Sequence, residues 1–212
     1  MPDNVIATDG PISIRRLQAG DLPTISQHPY SVAISEPFDE LDRLQQLFAD
    51  TGIWQEEAAA AAIAESENGR MIGTVHCYRA APCIHGLELG YLIHDRSDRG
   101  KGLASRALRL FSDYLFETRP QFFRQQLIIE VWNTPSWHVA ERAGFVREGI
   151  LRSCGFGTGD PADCFVYSRT RRDHEQELVS VDGPNGVAAQ SGSLGTSKPE
   201  RRPSSDARVS AA

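Results

Sequence analysis

The 212-residue sequence predicts a sheet domain of the α/β or α+β class followed by a disordered tail. Three observations predict it. Short strand-type runs stand on both sides of two segments with helical spacing of apolar residues. Hydrophobic residues make up 40% of the chain, enough for a packed core without staples. From about Ser180 the composition changes: residues 187–212 hold no aromatic side chain and are rich in Ser, Gly, Ala, Pro and Arg. Such a segment buries too little apolar surface to offset its ordering entropy. The predicted boundary therefore puts the domain at residues 1–178 and the tail at 179–212.

In chain order, residues 12–17 alternate apolar and polar side chains as a half-buried strand does. Asp21 caps a short helix near residues 22–27, limited by Pro23 and stopped by Pro29. Leu41, Leu44, Leu47 and Phe48 share one face of a helix over residues 39–49. Residues 56–66 stay open between two states. Their alanine run favours helix by propensity, whereas Asn68-Gly69 is a hairpin turn signal leading into a strand at 71–78. Residues 87–93 read as the next strand. A helix over 101–117 follows, with Leu103, Ala107, Leu108, Phe111, Tyr114 and Leu115 in register, and it stops before Pro120. Residues 127–132 form a short buried strand. Thr134-Pro135 opens a short helix that Gly144 ends. Residues 145–152 and 164–169 close the sheet, and the arginines at 169–172 read as a solvated strand end.

The formal charge of −6 and pI near 5.5 argue against nucleic acid as the main partner. No apolar stretch reaches the ~20 residues a bilayer span needs. The start lacks a basic region followed by an apolar run, which predicts a cytoplasmic protein whose Cys77, Cys83, Cys154 and Cys164 are reduced thiols. No metal is expected. His76, Cys77, Cys83 and His85 are irregularly spaced, and neighbours on a strand point to opposite faces. Ser136 and His138 lie two apart on a helix and do not face each other, so a serine-hydrolase triad is unsupported.

The chemistry concentrates in residues 88–105, a strand, a glycine-rich loop and the start of a helix. Unpaired N–H groups and the dipole at a helix start favour an anion there. Gly100 and Gly102 let a phosphate approach the backbone without a Cβ in the way, and Arg99 and Lys101 add positive charge. A Walker loop needs Ser or Thr after the lysine, where Gly102 stands, and the dinucleotide fingerprint fits no better. A tight turn with no ligand remains the alternative at this point.

Arg99-x-x-Gly102-x-Ala104 resembles the Arg/Gln-x-x-Gly-x-Gly/Ala motif of the GNAT superfamily of N-acetyltransferases. Glu88-Leu-Gly-Tyr91, Asn133-Thr-Pro-Ser136, Gly144-Phe145-Val146-Arg147-Glu148-Gly149 and Asp163-Cys164-Phe165-Val166-Tyr167 resemble the branch that includes the ribosomal-protein N-terminal acetyltransferases RimJ and RimL. The resemblance covers residues 12–171. It implies a mixed, mostly antiparallel sheet flanked by helices and splayed between its fourth and fifth strands. It implies acetyl-CoA as cosubstrate, with the pantetheine arm along Leu92, Ile93 and His94. The pyrophosphate would lie on the amides of Arg99, Gly100, Lys101, Gly102, Leu103, Ala104 and Ser105. The acceptor would be the primary amine of a small molecule or of a peptide N-terminus, and a homodimer is left open. A non-catalytic acetyl-CoA-binding adaptor of the same fold is the alternative.

Direct acetyl transfer needs a base for the ammonium, a donor for the developing oxyanion and a proton donor near the departing thiolate. Glu88 is the candidate base; the alternative is a salt-bridged or solvent-facing strand residue. A backbone N–H near Tyr91 serves the oxyanion. Ser136 matches the serine that protonates the thiolate in the Rim-type branch; the alternative is a first-turn serine satisfying a backbone N–H. Asn133 either bonds the pantetheine arm or caps the following helix. Tyr91 and Trp137 read as core or pocket wall. The resemblance breaks at one place. The glutamate proposed as base in RimL-like enzymes would fall near Gly155, and residues 153–159 carry no acid. Asp160 and Asp163 are the nearby carboxylates.

Overall fold

The computed structural model describes residues 4–28, 40–155 and 161–181. Eight strands form one sheet in the order β1-β2-β3-β4-β5-β6-β8-β7. They are β1 (Val5–Asp9), β2 (Ile12–Arg16), β3 (Ala58–Glu65), β4 (Met71–Arg79), β5 (Gly86–Ile93), β6 (Arg124–Glu130), β7 (Val146–Gly155) and β8 (Ala162–Thr170). The helices are α1 (Leu22–Ser26), α2 (Leu41–Thr51), α3 (Leu103–Thr118), α4 (Thr134–Arg142) and α5 (Arg171–Val181). Every neighbouring pair is antiparallel except β5–β6, which run parallel. The mixed, mostly antiparallel sheet is the one expected. The extra strand β1 makes the expected fourth and fifth strands β5 and β6.

Alternate residues of each central strand face different cores. Ala59, Ala61, Ile63, Val75, Cys77, Leu87 and Leu89 pack with Ala107, Leu108 and Phe111 of α3. Ala60 and Ala62 pack with Leu22 and Ile25 of α1 and Leu44 of α2. This double burial settles the alanine run. Its residues 59–64 are all buried in β3, and alanine lets helices approach both faces of the sheet closely. Tertiary packing here overrides helix propensity.

Three other expectations shift. The sixth strand starts three residues earlier than periodicity suggested because its polar residues find partners: Gln125 Nε2 donates to the Ser112 carbonyl at 2.9 Å, and Arg124 donates to Glu148 at 2.8 and 2.6 Å. Val131 and Trp132 form the turn that leads into α4. The arginine run is not a solvated strand end. Arg169 is fully buried, with its guanidinium 2.7 Å from Asp113 and 2.6 Å from Glu177, and the following residues form α5. Residues 179–181, which composition assigned to the tail, are the last turn of α5. Residues 182–212 lie outside the described residues, as do residues 29–39 and 156–160. Among the described residues, no helix is long and apolar enough to cross a membrane.

Candidate functional site

The parallel pairing of β5 with β6 has only three rungs, Gly86–Arg124, Leu87–Gln125 and Glu88–Gln126. Beyond Glu88 both strands run on without pairing to each other. Main-chain groups of β5 therefore face a gap at the residues just before the glycine loop.

That loop is held by its own charges. Asp98, 5% exposed, accepts from Arg70 Nη1 at 3.0 Å and from Lys101 Nζ at 3.3 Å. The Arg70 hydrogen bond holds its carboxyl below the usual carboxylate range. Arg99 folds back onto the end of β5. Its guanidinium donates to the Ile93 carbonyl at 3.1 and 2.9 Å and to the His94 carbonyl at 3.1 Å. Arg99 and Lys101 thus shape the loop as much as they charge it. Gly100 and Gly102 both have φ +76°, the left-handed region, and a Cβ on either would meet open space. Gly102 caps α3 with no side-chain hydrogen bond, so the first amides of a 16-residue helix remain available.

Two buried polar side-chain atoms of this segment have no partner among the described residues: Ser105 Oγ and His94 Nε2. Ser105 lies in the first turn of α3. His94 stacks flat on His28, with ring centroids 4.5 Å apart. Burial, and secondarily the neighbouring His28, push the His94 imidazole down to about 4, so it is neutral at pH 7. A buried polar atom without a partner is costly. A phosphate oxygen would supply what Ser105 Oγ lacks in the first turn of α3, so the residues present fit acetyl-CoA.

On the α1–α2 face of β5, Glu88 is half-buried between neutral partners. Its Oε1 accepts a short hydrogen bond from the Tyr78 hydroxyl, and its Oε2 accepts from Gln126 Nε2 at 3.0 Å. Burial first, and then this bond, raise the Tyr78 phenol well above its ordinary value. Among the described residues Glu88 forms no ion pair, and each of its oxygens accepts one of these two hydrogen bonds.

On the opposite face, Tyr91 reaches α4. Its hydroxyl lies 2.8 Å from the Ser136 carbonyl oxygen and 2.7 Å from Ser136 Oγ. Asn133 caps α4: its Oδ1 accepts from the Ser136 N–H at 3.3 Å. Ser136 Oγ is consequently not used as a backbone cap. Asp163 Oδ1 accepts from the Ser153 N–H at 2.9 Å, which pins a β-bulge of the β7–β8 pair. Asp160 lies outside the described residues.

The fold brings Leu92, Ile93, His94 and residues 99–105 into one continuous segment and joins Ser136 to it through Tyr91. It sets Glu88 on the other face. Sequence reading missed Tyr78 and Gln126 as the holders of Glu88, and read Tyr91 as wall. One signal was present: Glu88 and Tyr91 are three apart on a strand, hence on opposite faces. Two shallow hollows, of about 650 Å³ beside Glu148 and about 340 Å³ beside Trp54, contain none of these residues. Among the described residues, no three His, Cys, Asp or Glu side chains gather as a metal site.

A model of the acetyltransferase (GNAT) domain matches residues 12–146. The uncharacterized N-acetyltransferase p20 of Bacillus licheniformis is 25% identical over 171 residues, 77% of this chain and 94% of that protein. The probable N-acetyltransferase YjcK of Bacillus subtilis (strain 168) is 33% identical over 88 residues, 41% of this chain and 48% of its own. Among solved structures, the spermidine/spermine N-acetyltransferase SpeG from Vibrio cholerae aligns with TM-score 0.66 at 24% identity, covering 79% of this chain and 96% of that one. The dodecameric spermidine N-acetyltransferase from Vibrio cholerae aligns with TM-score 0.68 at 22% identity, covering 80% and 99%. At such identities these two structures speak for the fold.

Proposed function

The chain belongs to the GNAT family of acetyltransferases and is an N-acetyltransferase; from that premise we propose that it uses acetyl-CoA to acetylate the primary amine of a small molecule or a protein N-terminus. The RimJ- and RimL-like branch remains a reading from the motifs, since the solved structures above are spermidine acetyltransferases. The observation that carries the proposal is the pair of left-handed glycines opening α3, with a buried Ser105 Oγ in its first turn that has no partner among the described residues. This anion cradle lies directly after the strand that parts from β6.

The thioester supplies an activated acyl group with a thiolate leaving group. The chain's residues do the rest. Amides of residues 100–105 and Ser105 Oγ hold the pyrophosphate, since the Arg99 N–H is already donated to the Arg96 carbonyl at 3.2 Å. The edge of β5 left open beyond Glu88 aligns the pantetheine arm toward Leu92–Ile93, and Arg99 closes its far end by bonding the Ile93 and His94 carbonyls. Glu88 takes a proton from the acceptor ammonium on the α1–α2 face. A main-chain N–H near Tyr91 meets the charge that builds on the carbonyl oxygen. The Ser136 hydroxyl faces the departing sulfur from the other side. Asn133 sets that serine by capping α4.

Titration calorimetry with coenzyme A tests the cradle, and thiol release with a panel of amines and peptides tests the transfer. Binding without thiol release would make the chain a non-catalytic adaptor. Glu88→Gln keeps both hydrogen-bond partners within reach but removes the base, so kcat at saturating substrates is expected to fall at least ~100-fold. An unchanged kcat removes Glu88 from this role.

A further inference from the structure

We propose that Tyr91 is a positioning residue that turns the Ser136 hydroxyl proton toward the departing thiolate; this rests on the reading of Ser136 given above. Tyr91 has one hydroxyl proton and two acceptors within reach, the Ser136 carbonyl at 2.8 Å and Ser136 Oγ at 2.7 Å. The two arrangements differ in consequence. With the Tyr91 proton on the carbonyl, the short contact to Oγ is made by the serine proton, which then points at Tyr91 and away from the gap. With the Tyr91 proton on Oγ, the serine proton is released to another acceptor. A small rotation of one phenolic O–H therefore sets whether Ser136 is a donor to the sulfur. The serine is free to respond because Asn133, not Ser136 Oγ, caps the helix.

The environment keeps Tyr91 a donor. Burial pushes its phenol up to about 12, so it holds its proton across the neutral range. The step balances without any net proton leaving the pair. After the amine nitrogen has bonded to the acyl carbon, the oxyanion re-forms the carbonyl as the C–S bond breaks with its electron pair staying on sulfur, and the thiolate accepts a hydrogen bond from Ser136 Oγ while Oγ accepts one from Tyr91. Both hydroxyls keep their protons. Such a chain of hydrogen bonds strengthens the terminal donor. Removing Tyr91 Oη takes away the hydrogen bond that Oγ would accept.

The test uses the full chain with coenzyme A, acetyl-CoA and an amine that the wild type acetylates. Tyr91→Phe is expected to lower kcat about tenfold, with KM for acetyl-CoA within about twofold, because the lost contact matters only as the thiolate forms. Ser136→Ala should lose at least as much, and the double variant no more than Ser136→Ala alone, since two members of one chain are not additive. A second readout needs no acceptor. The thiol of bound coenzyme A, followed by its ultraviolet thiolate absorbance, should ionise at lower pH on the wild type than on Tyr91→Phe. A ring-fluorinated tyrosine at position 91, which keeps the packing and donates more strongly, should lower that pH further. A merely structural tyrosine would move stability and leave the thiol titration where it was. Wild-type kcat and thiol titration in Tyr91→Phe, or additive losses in the double variant, overturn the inference while the transferase reading stands. A wild type that retains no coenzyme A overturns both.

Discussion

Gly90→Ala tests the packing behind the candidate base. Gly90 pairs with His76 across the β4–β5 ladder. A Cβ at Gly90 would lie 2.2 Å from His76 Nε2 and 2.4 Å from Cε1. An ordinary contact of about 3.5 Å requires the ring or the strand to retreat by about 1.3 Å. The ring has little room. His76 is 6% exposed, and its plane lies 11° from that of Tyr78 at a centroid separation of 6.4 Å. Burial holds the His76 imidazole near 3, so charging the ring offers no escape at neutral pH. The backbone of Gly90 is not left-handed, so the whole effect is steric. Overpacking of this kind costs about 3 kcal/mol, which lowers the melting temperature of a domain this size by about 6–12 °C. The displaced ring presses on Tyr78, whose hydroxyl holds Glu88, so kcat measured well below the melting temperature should fall as well. Calorimetry and thiol release at a fixed low temperature read the two effects separately. Adding His76→Ala to Gly90→Ala should recover stability, since the pair is in contact. A Gly90→Ala protein that melts within about a degree of wild type refutes the steric account and the packing link to Glu88.

Two further outcomes follow from the loop and from β7. Gly102→Ala meets no atom within 4 Å, so its penalty is conformational: about 1–2 kcal/mol for a left-handed alanine, or a turn of the first α3 amides away from the ligand. Coenzyme A affinity in calorimetry should drop about tenfold, and an unchanged Kd would remove the glycine from the cradle. Glu148, held by Arg124 and by Ser168 Oγ at 2.7 Å, has its carboxyl lowered to about 2, chiefly by the Arg124 hydrogen bond. A depressed carboxylate stabilises the fold above its unfolded value of 4.5 and loses that contribution as pH falls toward about 2. Its side chain is 43% exposed, so solvent screening cuts the contribution to about 1 kcal/mol. Glu148→Gln should destabilise by that amount in denaturant titrations at pH 7 and converge on wild type at the acid end of the window. A gap that stays constant with pH would refute the linkage.

The parts of the fold legible in the sequence are those with local causes. Gly100 and Gly102 announce a loop that needs positive φ, Pro135 announces a helix start, and the spacing of Leu103, Leu108 and Leu115 announces α3. The parts that escaped depend on partners far along the chain. The alanine strand is decided by helices that sandwich it. Arg169 is buried because Asp113 and Glu177 reach it from two helices, a compensation no local window contains. Glu88, Ser136 and the loop stand out as candidates through the order of several motifs. Their supporting contacts were not: Tyr91 meets Ser136 across 45 residues of sequence, and Gln126 meets Glu88 across 38.

The placement of these residues also constrains how the reaction is divided in space. Strand alternation puts Glu88 on the α1–α2 face of β5 and Tyr91 on the α4 face, three residues apart. One side chain cannot serve both faces of a sheet, so the proposed base and the proposed thiolate donor would act from opposite sides. They can act on one reaction centre only where the sheet opens, and the β5–β6 pairing ends at Glu88 itself. A continuous ladder would have closed that passage with main-chain hydrogen bonds. The candidate base Glu88 is anchored at the last closed rung, by Gln126 of the neighbouring strand, while Ser136 is held by Tyr91. Extending the pairing of β5 with β6 by even one rung would therefore cost activity while leaving both side chains chemically intact.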